Sequence, residues 1–249
     1  VAWAKKIALE GQLRLETISK AERCAVIAGL KLPTRTYKPE PLPADAPLDI
    51  AIAQILSNCL HHYIDFLQPF RDERSPLAVH QMRVGLRRLR AALKVLAKSF
   101  PETNFRSYAD RARTIAIGLG DARDCDAFRQ LAFGEVLQHE NYPKDAMHLE
   151  AGLEALRADT YVRAAALIES DFNLAFILDM NIFILERAWR SEATDSSFVT
   201  LSAPAEYFAR DTLQQLLQKA LKKGKDLLAR SDEERHEFRI CLKNLRYNA

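Results

Sequence analysis

The sequence predicts an all-α protein built from two related helical halves, and three observations carry that prediction. Apolar residues recur at helical spacing in successive segments from Ile50 onward, divided by capping and breaking residues rather than by strand-like alternation. One basic amphipathic stretch, VHQMRVGLRRLRAALKVLAK from Val79 to Lys98, has an echo in HEFRICLKNLRY from His236 to Tyr247. A third segment, LAFILDMNIFIL, suits a buried helix; it is too short, and too interrupted by Asp179 and Asn181, to span a membrane.

Taken in order, residues 1–47 form an N-terminal segment. KIALEGQLRLET suits either a strand or a short helix. Pro33, Pro39, Pro41, Pro43 and Pro47 exclude regular helix from residues 31–47, because each proline removes a donor and restricts the residue before it. An extended linker results. Helical periodicity then runs from Ile50 to about Phe70, with Ile52, Ile55, Leu56, Cys59, Leu60, Tyr63 and Leu67 on one broad face. Ser75 and Pro76 suit the N-cap and first position of the next helix, which stops before Pro101. A third helix is expected from Asn104 to Ile117, broken by Gly118 and Gly120, and a fourth from an Asp121 cap to about Gln138.

Lys144 to about Arg190 reads as two helices with no counterpart in the repeat, and Ser191 to Phe198 as a polar loop. Ala203 to about Leu228 parallels the helix at 50–70, with Phe208 opposite Ile52 and Leu216 opposite Leu60 at an offset of 156 residues. Ser231 and Glu234 form a capping box that starts the last helix.

The helix at 79–98 carries the candidate chemistry. At about 100° per residue, His80, Arg83, Arg87, Arg90 and Lys94 fall on one narrow stripe, while Met82, Leu86, Leu89, Leu93 and Leu96 fall on another. Between Ser75 and Pro101 there are six Lys or Arg and no Asp or Glu, so no carboxylate in the segment offsets the row. Such a row suits an anion lying along the helix, although long cationic side chains also cover apolar surface with their stems. His236, Arg239, Lys243 and Arg246 repeat the offsets of His80, Arg83, Arg87 and Arg90, which implies duplication.

These residues resemble the two signature helices of the CHAD family, the conserved-histidine α-helical domain. Leu119-Gly120-Asp121-Ala122-Arg123-Asp124-Cys125-Asp126 is similar to the family's Leu-Gly-x-x-Arg-Asp-x-Asp segment. The resemblance covers residues 48–249 and implies a pair of four-helix bundles around a basic central channel that binds inorganic polyphosphate. It also implies two further helices after the second signature helix. Their absence is expected to leave the second bundle incomplete, with an exposed apolar face or a contact to another copy. SKAERCAVIAG, from Ser19 to Gly29, is similar to the segment closing a CYTH domain in proteins where CYTH precedes CHAD. The resemblance therefore allows two roles, a polyphosphate-binding or granule-targeting module, or an accessory domain of an inorganic triphosphatase whose CYTH catalytic domain precedes Val1.

The binding residues expected are Arg83, Arg87, Arg90 and Lys94 with Arg239, Lys243 and Arg246, joined by Arg123 of the Leu-Gly-x-x-Arg-Asp segment. Arg88 points nearer the flank. Charge reversal at Arg83 and Arg87 is expected to abolish binding without loss of helix, since neither lies on the apolar stripe. His80 and His236 suit phosphate contact, structural support or metal ligation. Lys222, in a cluster with Lys219, Lys223 and Lys225, either extends the anion track or complements the dipole at a helix end. Asp121 reads as a cap, and Asp124 and Asp126 as partners of Arg123 or the basic rows, in preference to a divalent-cation site.

Composition narrows the classes. A net charge of +3 disfavours nucleic-acid binding through bulk charge, and the arginines lack interleaved aromatic residues for base stacking. There is no Gly-rich phosphate loop, His-Glu-x-x-His motif or nucleophile elbow, so neither an enzyme nor a metal or cofactor site is expected within the chain. Cys24, Cys59, Cys125 and Cys241 show no disulfide or metal-type spacing, which favours reduced thiols and a cytoplasmic location; association with polyphosphate granules is what the CHAD resemblance implies.

Overall fold

The computed structural model describes residues 2–11, 13–30, 37–43, 45–133 and 144–248. Among the described residues its regular elements are helices, and strand pairing is confined to an isolated bridge between Pro47 and Pro204. Proline cannot donate, so the flanking amides make the bonds: Leu48 donates to the Ala203 carbonyl at 2.8 Å and Ala205 to that of Ala46 at 2.9 Å. No helix among the described residues is long and apolar enough to cross a membrane.

The helices are α1 (Ala2–Glu10), α2 (Lys20–Ile27), α3 (Leu48–Ile64), α4 (Leu67–Glu73), α5 (Pro76–Ser99), α6 (Phe105–Gly118) and α7 (Gly120–Phe128). After a π-helical turn at Arg129–Phe133 come α8 (Lys144–Ile168), α9 (Asp171–Leu185), α10 (Trp189–Glu192), α11 (Asp195–Ser202), α12 (Ala205–Gly224) and α13 (Asp232–Asn248). Of the N-terminal stretch read as strand or short helix, Lys6 to Glu10 is helical in α1 and residues 13–17 are irregular. The linker is irregular over residues 37–43, as its prolines require.

Three expectations differ. The helix expected to run unbroken to Phe70 ends at Ile64, and α4 begins at Leu67, which places Pro69 in a first turn where its missing N–H is not needed. The polar stretch 191–198 is helical at both ends, with Thr194 accepting from the Ser197 amide at 3.3 Å as the cap of α11. Asp121 does not cap α7: Leu119 holds the N-cap position with no side-chain bond, and Asp121 lies inside the first turn. The expected extension of that helix continues as the π-helical turn to Phe133, and the rest, to Gln138, lies outside the described residues.

The chain divides into two compact units. The first comprises residues 1–38, 60–87 and 111–180. Its core gathers Tyr63, Phe70, Met82, Leu86, Ile115 and Phe176, all under 2 % exposed. Buried polar groups there are paired: the Tyr63 hydroxyl donates to Asn173 Oδ1 at 2.6 Å, and Asn173 Nδ2 to the Ile168 carbonyl at 2.8 Å. Asp126 of α7 is buried and accepts from Arg157 Nε and the Tyr161 hydroxyl of α8, both at 2.8 Å. Burial, reinforced by the bond to Asp126, raises the Tyr161 hydroxyl above its ordinary range.

The second unit comprises residues 39–59, 88–110 and 181–249. Phe105 stands edge-on to Phe183 at 5.4 Å and lies 5.7 Å from Trp189, giving this unit an aromatic centre. Asp49, at the start of α3, is buried and takes ion pairs from Arg187, at 3.0 Å, and Arg190. The capping box at Ser231 and Glu234 forms as expected, with bonds of 3.3 and 3.0 Å.

Candidate functional site

The orientation of the basic row follows from burial of the apolar stripe. On α5, Met82, Leu86, Leu89 and Leu93 are completely buried and Leu96 nearly so. The helical period then puts His80, Arg83, Arg87, Arg90 and Lys94 on an adjoining face. Within the first unit this row meets α7. His80 and Arg83 are half-buried, Arg87 is exposed, and the charges of Arg123, Arg87 and Arg83 all bear on the His80 ring. Burial foremost, and then those charges, lower the His80 pKa from its ordinary value.

Arg83 is built into this corner. Its Nη1 donates to the Ala116 carbonyl near the end of α6 at 2.5 Å, and a Cβ at Gly120 would sit 3.4 Å from the same nitrogen. Burial lowers its pKa; Asp124 opposes that, Arg87 and Arg123 add to it, and Asp121 opposes it weakly. Reversal at Arg83 would therefore break a tie between α5 and α6 as well as remove a candidate phosphate donor. Arg87 and Arg123 are the cleaner positions for testing binding.

The acids lie elsewhere than the sequence suggested. Asp126 pairs with Arg157, not with Arg123, and Asp121 pairs with Arg163 of α8 at 3.1 Å. Asp124 alone keeps the expected role, its charge acting on Arg83. Among the described residues Arg123 forms no ion pair, so it adds a net cation at the N-terminus of α7, where the helix dipole also favours an anion. No group of acids or histidines among the described residues is arranged to hold a metal ion.

In the second unit, Arg90 is half-buried and Lys94 exposed on the later turns of α5. On α13, His236, Arg239, Lys243 and Arg246 are all exposed, and Arg246 lies over the Tyr247 ring at 5.0 Å. Here the echo departs from its template. Leu86 is completely buried, but its counterpart Leu242 is 43 % exposed and Ile240 is 44 % exposed, since among the described residues α13 packs chiefly on α12. Lys222 is exposed at the end of α12, and the neighbouring Lys223 is ion-paired with Glu237 of α13.

A family model for the CHAD domain matches residues 54–249. The chain belongs to the CHAD family. Its fold is similar to the crystal structure of the CHAD domain from the plant Ricinus communis, with a TM-score of 0.69 and 27% sequence identity over 85% of this chain and 68% of that one. A search of curated proteins finds no match. The matched CHAD region contains every residue of both basic rows, Arg123 and Lys222, while α1, α2 and the linker precede it.

A cleft of about 590 Å³ between α7 and α8 is walled by Phe128, Leu153 and Leu156 and edged by Asp121 and Asp124, and none of the row's cations lines it. Guanidinium groups on a rigid helix, three and four residues apart, grip successive anionic groups with paired N–H donors about 5 to 6 Å from one another. Sequence reasoning missed the Ala116 carbonyl that seats Arg83; the signal for this corner was Gly120, read there as a helix breaker, which lies against the Arg83 guanidinium.

Proposed function

We propose that this CHAD chain binds inorganic polyphosphate as a non-catalytic module. The observation that supports this most strongly is the meeting of His80, Arg83 and Arg87 on α5 with Arg123 on α7, four potential phosphate donors, with Asp124 as the principal counter-charge on Arg83. Arg90 and Lys94 continue the row, and His236, Arg239, Lys243 and Arg246 with Lys222 offer further contacts. Linear polyphosphate presents a negative charge at each internal unit, which suits a row with helical spacing better than a single closed pocket. Targeting to polyphosphate granules would follow from the same contacts.

Calorimetric titration with long-chain polyphosphate at 50 and 200 mM salt, with single-stranded RNA as competitor, tests this reading. Affinity is expected to fall by at least about 100-fold between the two salts, as for a ligand whose bound counterions are displaced by several cationic side chains. RNA at equal phosphate concentration is expected not to displace it. Equal competition by RNA would make the surface a general polyanion binder, and no binding by the folded chain would sink the proposal.

His80 gives the site a pH dependence of defined sign. Its pKa in the empty, folded protein is below the ordinary 6.5, so it contributes stability above that value that is lost as pH falls through the folded pKa. A bound polyanion reverses the repulsion from Arg123, Arg87 and Arg83 and raises the His80 pKa, so binding takes up a proton. Polyphosphate affinity is expected to rise several-fold from pH 7.5 to pH 5.5, with His80→Gln flattening the profile. A steeper dependence that survives His80→Gln would place the titrating group elsewhere.

A further inference from the structure

The second unit contains a cleft that the basic row does not use. It has a volume of about 530 Å³, within the range of small-ligand sites, and lies among α3, α5, α12 and the end of α13. Three helices meet there through small side chains. Ala51 on α3, Ala92 on α5, and Ala205 and Ala209 on α12 all line the space, where larger residues would close it. Ile52, Ile55, Val95 and Phe208 supply apolar walls.

On α5, Arg88, Ala92 and Val95 lie roughly 120 to 180° around the axis from Arg83, away from the cation row, and Leu96 joins them from the edge of the buried stripe. Arg88 is exposed and forms no ion pair among the described residues. Its charge reaches the buried Cys59 thiol in the α3 wall, whose pKa is pushed up to about 12 by burial, with Arg88 acting in the opposite direction. The guanidinium therefore overlooks the apolar space. Of the acids at the margin, Glu206 is already neutralised by Arg210, and Asp45 sits in the turn before α3, in the left-handed region at φ 59°.

We propose that this cleft binds an amphiphilic anion, a medium-chain carboxylate or an aromatic sulfonate, with its apolar body between α3, α5 and α12 and its head on Arg88. The apolar walls take up the ligand's body by removing it from water. An otherwise unpaired guanidinium grips a carboxylate or sulfonate through two parallel N–H donors. Arg88 thus serves a different ligand from Arg87, one residue away but 100° around the helix.

The test uses the full chain and 8-anilinonaphthalene-1-sulfonate as a fluorescent probe, displaced by dodecanoate, with stoichiometry from calorimetry. One probe per chain is expected, with dodecanoate displacing it. Arg88→Gln, at an exposed position, is expected to weaken dodecanoate about tenfold while leaving dodecanol and polyphosphate unchanged. Ala92→Phe and Ala209→Phe, each checked for native helicity, are expected to abolish both amphiphiles. The proposal is overturned if Arg88→Gln leaves dodecanoate affinity unaltered, if dodecyltrimethylammonium binds more tightly than dodecanoate, or if a folded cleft-filling variant still binds the probe at one per chain.

Discussion

An Arg87→Glu/Arg123→Glu variant is expected to bind polyphosphate about 100- to 10,000-fold more weakly than the wild-type chain. Each substitution removes a charge-assisted contact worth about 1.5–3 kcal/mol and introduces a repulsion against the same polyanion. The salt dependence should fall with it, by about one unit in the slope of log K against log[salt] for each cation lost. Neither side chain contributes to the buried stripe, and neither makes the tie that Arg83 makes to Ala116. Far-UV circular dichroism should therefore match wild type. Parallel titrations at two salt concentrations check the result; undiminished affinity in the variant would move the binding surface away from the α5 and α7 corner.

The largest stability loss is expected for Asp126→Ala. The carboxylate is 7% exposed and accepts from both Arg157 and Tyr161, so its removal leaves a guanidinium and a hydroxyl without their acceptor. Breaking a buried pair from one side costs about 3–5 kcal/mol, and water access to Arg157 puts this case near 3. Asp126→Asn keeps an acceptor oxygen and is expected to recover about half. Urea unfolding followed by helicity checks both values. Because Arg123 shares α7 with Asp126, the alanine variant should also bind polyphosphate more weakly, and a loss of binding with unchanged stability would contradict the structural role assigned to this carboxylate.

What was legible in the sequence was whatever a single helix decides for itself. The stripe from Met82 to Leu96 and the capping box at Ser231 and Glu234 needed only periodicity and local chemistry, and both stand where expected. The partner of Asp126 was not legible, because Arg157 lies 31 residues away on a helix with no sequence cue to its orientation. The same holds for the exposure of Leu242. Its sequence context matches that of Leu86, and burial depends on which neighbours cover the helix, a property of the assembly and not of the segment. The break before Pro69 was readable in principle, since a proline suits a first turn far better than a helix interior, but a continuous apolar face outweighed it.

The buried bond between Tyr63 and Asn173 joins residues 110 positions apart, and the pair between Arg187 and Asp49 spans 138. On the ribosome this separation becomes time. At about 5–20 residues per second, Tyr63 emerges roughly 5 to 20 s before its partner has been made. During that interval the apolar stripes of α3, α4 and α5 lack their later neighbours and stand as sticky surface for chaperones or other nascent chains. The pairing of α12 with α13, by contrast, joins adjacent segments and closes almost as soon as both are synthesised. The apolar stripes of α3, α4 and α5 therefore wait longest for their partners during synthesis, and the contact of α12 with α13 the least.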